Sequence, residues 1–166
     1  MHTRTSTAVA LWFVLHGGAA LTVSPAPALA QDSVAMKVTI TVGGKTENLR
    51  GTGRCGHEPR AWLHGKAAAL WLTEYRDGAP VPRVSLSYWR FAAGDEVQFS
   101  LAVHGKSAAH RISTVKGGKL QGSGRATFQP TAQGGRFLIA GKAQNGAPLQ
   151  ATIECARFGG IAAEGG

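Results

Sequence analysis

The sequence predicts an all-β chain: one antiparallel β-sandwich or small barrel of about eight strands with one disulfide. Three observations carry that expectation. Apolar residues arrive in short runs that alternate with polar ones, the period of a half-buried strand, and not in the i, i+3, i+4 series of an amphipathic helix. Glycine is abundant, with 23 residues, and pairs such as Gly43-Gly44, Gly117-Gly118 and Gly134-Gly135 fall between those runs, where turns are needed. The only two cysteines, Cys55 and Cys155, stand at the ends of two such runs. At 166 residues the chain suits one domain with a hydrophobic core.

Residues 1–30 read as an export signal. A polar start with Arg4 leads into Ala8–Leu15, a Gly17-Gly18 break, Ala19–Val23 and a proline-rich approach to Ala28-Leu29-Ala30. Small residues at Ala28 and Ala30 suit cleavage before Gln31, and neither apolar run reaches the roughly 20 residues that span a bilayer. The processed chain is therefore expected to be soluble, and periplasmic or extracellular. Those compartments let disulfides persist, so Cys55 and Cys155 are expected to be bonded. No CxxC motif or local acid-base partner marks either one as a reactive thiol or a metal ligand.

The β domain is expected over 31–158. Val38, Ile40 and Val42 alternate with Lys37, Thr39 and Thr41, and Gly43-Gly44 turns the chain into a return strand over Lys45–Cys55. The stretch Gly56–Lys66, with Pro59 and two glycines, reads as a long loop or edge excursion. Lys66–Tyr75 and Pro82–Phe91 flank a turn around Asp77-Gly78 and read as a hairpin. Ala67–Leu70 has helical propensity, but the alternation of Trp71, Thr73 and Tyr75 favours a strand. Glu96–His104 and His110–Lys116 form the next pair about Gly105-Lys106.

Lys119–Gln129 is expected to turn Leu120, Gly122, Gly124, Ala126 and Phe128 inward, the glycines leaving room for a large neighbour such as tryptophan or marking a bulge. Arg136–Gln144 and Ala147–Arg157 flank Asn145-Gly146, the strongest hairpin signal in the chain. In the closing strand Leu149, Ala151, Ile153 and Cys155 share one face. Residues 159–166 are expected to form a flexible tail.

Three stretches together, VTITVGGK…LRGTGRC, GSGRATF…GGRFLIAGKA and the closing TIEC, resemble the mycobacterial 19-kilodalton lipoprotein antigen family over Val38 to Cys155. Members share a VxVxG opening, a first cysteine after a short glycine-rich strand, and a last strand that closes at the second cysteine. The resemblance implies a β-sandwich-like exported envelope antigen with Cys55 bonded to Cys155 and no catalytic residues to carry over. No lipid-attachment cysteine stands near the cleavage point, which departs from the family pattern and tells against lipid anchoring.

Lys and Arg together number 18 against 9 Asp and Glu, and loss of Arg4 with the leader leaves an excess of eight positive charges. A chain this basic is drawn to anionic surfaces. Arg50, Arg54, Arg60 and Lys66, near Trp62, are the candidate surface for anionic ligands, although no run has the density of a nucleic-acid-binding arm. His57, His64, His104 and His110 are the residues a metal-dependent enzyme or periplasmic hydrolase would use; their spacing matches neither HxH nor HExxH. The carboxylates are few, and Gly122-Ser123-Gly124 lacks the strand-turn-helix setting of a nucleophile elbow.

No catalytic, cofactor or metal residue is therefore assigned. The leading expectation is an exported, non-enzymatic, envelope-associated binding or interaction protein whose partner is an anionic envelope polymer or another protein.

Overall fold

The computed structural model describes residues 33–161 apart from Asp77, Asp95, Lys106 and Ser107. The leader and its cleavage point lie outside the described residues. Among those described there is no helix. Nine strands form one continuous sheet: β1 (Val34–Val42), β2 (Lys45–Leu63), β3 (Lys66–Tyr75), β4 (Val84–Phe91), β5 (Val97–His104), β6 (Ala109–Ser113), β7 (Ser123–Pro130), β8 (Gly135–Lys142) and β9 (Pro148–Cys155). A two-residue β10 (Gly159–Gly160) joins β2.

The sheet order is β6-β5-β4-β3-β2-β1-β9-β8-β7, so consecutive strands lie side by side except β6 and β7, which end the order, and β1 meets both β2 and β9. Every ladder among the nine is antiparallel. The sheet curls into a barrel that closes incompletely between β6 and β7. Counting reversals from β1 shows why: β6 and β7 run the same way, and no antiparallel ladder can join them. The seam is made instead by one bridge, Ser113 to Gln121, and by Gln144. The backbone amide of Gln144 donates to the Arg111 carbonyl, its side-chain Oε1 accepts from the Arg111 amide, and its Nε2 donates to the Ala109 carbonyl at 2.8 Å. One side chain thus does for β6 what a neighbouring strand would do.

The interior is filled by alternate residues, as the pleat requires. Val34, Met36, Val38 and Ile40 of β1 meet Leu149, Ala151, Ile153 and Cys155 of β9, and all are buried. Phe99, Leu101, Ile112, Phe137, Leu149 and Ile153 are sealed almost completely. Each such side chain contributes about 1.5–3 kcal/mol of hydrophobic stabilisation. At the end of the barrel near the disulfide, Trp71, Tyr88, Phe128, Phe137 and Phe158 pack as one aromatic cluster, with neighbouring centroids 4.8 to 6.4 Å apart. Gly53 lets that wall close, since a Cβ there would lie 2.3 Å from the Glu74 carbonyl and 2.4 Å from Met36 Sδ.

Several expectations need correction. The stretch Gly56–Lys66 is no loop: β2 continues to Leu63, absorbs Pro59 in a register shift between Glu58 and Ala61, and turns at His64-Gly65. Proline lacks a ladder donor, and the irregularity accommodates it. His64 takes a left-handed φ of 49°, which histidine tolerates better than most residues, so the His-Gly pair makes a two-residue turn. Lys66–Tyr75 is strand throughout.

The strand expected over Lys119–Gln129 begins only at Ser123, because the chain turns at Gly122, whose φ is 65°. Leu120 is consequently exposed, and no tryptophan fills the space near Gly122 and Gly124. Gly159–Gly160, read as the start of a tail, pairs in parallel with Gly56 and His57, and Ile161 packs over Gly56. Residues 162–166 lie outside the described residues.

Candidate functional site

Cys55 and Cys155 are bonded, with their Cα atoms 6.2 Å apart. They belong to β2 and β9, the two strands that flank β1, and meet near the N-terminal end of β1. Met36 pairs with Cys155, and Gly53, two residues before Cys55, pairs with Val34. Past the bond, β10 lies against β2 in the slot that β1 leaves empty.

The four expected basic residues do not meet. Arg50, Arg54 and Arg60 are strung along β2, and Lys66 follows the turn at the far end of that strand. Ten strand positions separate Arg50 from Arg60, about 33 Å at 3.3 Å per residue. Arg54 faces Glu74 across the ladder and lines a shallow hollow of about 110 Å³ with Ser85 and Ser87. The Arg60 amide donates to Glu58 Oε1 at 2.9 Å. Trp62, named with them, is exposed.

Arg50 is the one that enters a cleft. The register sets Gln129 of β7 opposite Arg136 of β8, Arg136 opposite Glu154 of β9, Glu154 opposite Lys37 of β1, and Lys37 opposite Arg50 of β2. This rank crosses five strands on the outer face of the barrel. A cleft of about 630 Å³ opens along it, walled by Ala35, Pro130, Thr131 and Ala156. That volume lies within the range of small-molecule sites.

The charges along the rank are unbalanced. Arg136 approaches Glu154 at 2.8 Å and Lys37 approaches it at 3.9 Å, so one carboxylate serves two cations. The Arg50 guanidinium pairs with no carboxylate among the described residues, and its directly opposed neighbour, Lys37, carries the same sign. Like charges in that relation repel and destabilise the ladder, so the arrangement favours an anion beside them. Lys37 was legible as an outward residue of a strand. The two-residue turn at Gly43-Gly44 sets Lys37 opposite Arg50, whereas the register that brings Glu154 and Arg136 alongside has no local signal in the sequence.

The histidines are distributed over three places. His57 stacks on Trp71 at 4.4 Å and meets Phe158 edge-on, while Arg90 lies 5.4 Å from the centre of the Trp71 ring. Its Nε2 is buried with no hydrogen-bond partner among the described residues. Burial lowers the pKa of His57 below its ordinary value, Glu58 opposes that shift and Arg90 adds to it. His64 lies in the β2–β3 turn against Gly117. His104 and His110 occupy adjacent positions at the β5–β6 end, where His110 Nδ1 is 3.5 Å from Asn145 Nδ2. No three metal-ligating side chains come together among the described residues.

Compared with known protein families, curated proteins and solved structures, the chain matches none of them.

Proposed function

We propose that this is an exported, non-enzymatic, envelope-associated binding protein, antigen-like in character, that attaches to anionic envelope polymers through its basic surface. The observation that carries this reading is the Lys37–Arg50 pair, two cations set directly opposite each other in a cleft whose single carboxylate is already shared. The bond between Cys55 and Cys155 supports a non-cytoplasmic setting, since cytosolic reductants keep such pairs open. The overall positive charge draws polyanions from a distance, and at physiological salt it is screened beyond about 8 Å.

Binding is therefore expected at low ionic strength and is expected to weaken steeply as salt rises. Titrating the purified protein onto an anionic polysaccharide at both extremes tests this. Absence of binding at low salt, or indifference to salt, refutes the reading and redirects attention to a protein partner at the exposed Trp62.

A further inference from the structure

Resting on that reading and sharpening it, we infer that the cleft over β1 and β2 is a discrete site for a carboxylate-bearing saccharide unit. The acid group sits against Arg50 and Lys37, and the polymer runs on along β1. The guanidinium of Arg50 presents a planar fork that matches a carboxylate bidentately, and no protein acceptor among the described residues occupies it. Lys37 is held on its other side by Glu154 at 3.9 Å, so it lends charge to the site while staying in place. An anion between the two removes the repulsion that their opposition creates.

The surroundings select a sugar over a lipid headgroup. The cleft walls offer small apolar faces, Ala35, Pro130 and Ala156, together with the polar ends of Gln129 and Thr131. The large exposed apolar residues that could enter a membrane, Trp62, Val81 and Leu120, are not among its walls.

Two positions along the strands, about 7 Å away, the next rank reads Thr127, Leu138, Thr152, Thr39 and Asn48. The one after it reads Arg125, Ala140, Gln150, Thr41 and Thr46. Between Lys37 and the far end of β1 the outer face is therefore rich in hydroxyls and amides. Thr39 donates to Asn48 Oδ1 at 2.8 Å, a bond that uses the amide's acceptor and not its nitrogen donor. A glycan with one acid group in the cleft finds further hydrogen-bonding groups along β1.

The test uses trigalacturonate, the neutral trisaccharide maltotriose, and phosphatidylglycerol vesicles against the purified protein, with binding read by calorimetry and by amide shifts. Trigalacturonate is expected to bind and to move the amides of Ala35, Lys37, Thr131 and Glu154. Maltotriose is expected to bind far more weakly. Arg50→Gln removes a charge-assisted hydrogen bond, which corresponds to a loss of roughly tenfold or more in affinity. Arg60→Gln removes the same charge far along β2 and is expected to change affinity by less than about twofold.

Both side chains are exposed, so neither change threatens the fold, and circular dichroism checks that. Equal losses in the two variants overturn the site. Shifts away from the cleft, or binding to vesicles alone, do so as well. Salt-sensitive binding of a long polygalacturonate without any binding of the trimer overturns the cleft while leaving the broader attachment reading standing. Failure of polymer and trimer alike removes both.

Discussion

His57 takes a proton less readily than a free imidazole: it is stacked on Trp71, its Nε2 is buried without a hydrogen-bond partner among the described residues, and burial lowers its pKa. Its folded pKa lies below the unfolded value, so the folded state binds the proton less readily. The stability it contributes is complete above the ordinary value of 6.5 and is lost as pH falls from there toward the lowered folded value. Between about pH 7.5 and 5 the wild type is expected to lose more stability than His57→Phe, in which a ring of similar shape holds the stack without titrating. Thermal denaturation of both across that range checks this, and parallel curves count against it. At this scale the sequence revealed identity well and neighbourhood poorly. Cys55 and Cys155 could be paired because the sequence holds only two cysteines, each at the end of an alternating run. Arg50 was singled out for its charge, and although the Gly43-Gly44 hairpin sets Lys37 opposite it, nothing local told that Glu154 and Arg136 would lie alongside.

Strands and turns were legible wherever alternation and turn chemistry agreed. Gly43-Gly44 makes its hairpin with both residues at positive φ, and the register on either side runs unbroken from Val42 and Lys45. The reading failed where one local rule was read too strictly. Pro59 suggested a break, yet a bulge carries β2 past it. Leu120 fitted an alternating pattern, yet the turn at Gly122 separates it from β7.

Hidden altogether was the part played by Gln144, which looked like an ordinary residue beside the Asn145-Gly146 turn. Gln144→Ala deletes both side-chain bonds to β6 while leaving the backbone bond to Arg111. Each contributes about 0.5–1.5 kcal/mol net, so a loss of about 1–3 kcal/mol is expected. Hydrogen exchange gives the sharper readout, because the Arg111 amide loses its acceptor. That amide is expected to exchange faster than its neighbours Ile112 and Ser113, and an unchanged rate refutes the role given to Gln144.

Over the whole molecule, an odd number of antiparallel strands cannot close evenly, and the consequence is concentrated at one seam. Sequence pattern gave the strand number and the meander, because both follow from local periodicity. Whether the sheet curls on itself depends on twist and shear summed over every ladder, which no single run encodes. The disulfide acts at this scale too. Closing a loop of 100 residues limits the unfolded ensemble by up to about 4.7 kcal/mol, so reduction is expected to lower the urea midpoint substantially at unchanged fold. Coincident unfolding curves with and without reductant contradict that expectation.

The same bond has a mechanical meaning if the protein is held on a surface as proposed. If tension is applied through the two ends of the domain, β1 and the part of β2 that precedes Cys55 are drawn from the sheet and β10 lifts away, and the extension then halts at Cys55 and Cys155. The 100-residue span between them cannot be drawn out while the sulfurs stay joined. The seven strands from β3 to β9 lie within that locked span. The chain thus gives way by a fixed length, opening the wall where β1 stood, while the seven strands behind the bond stay linked.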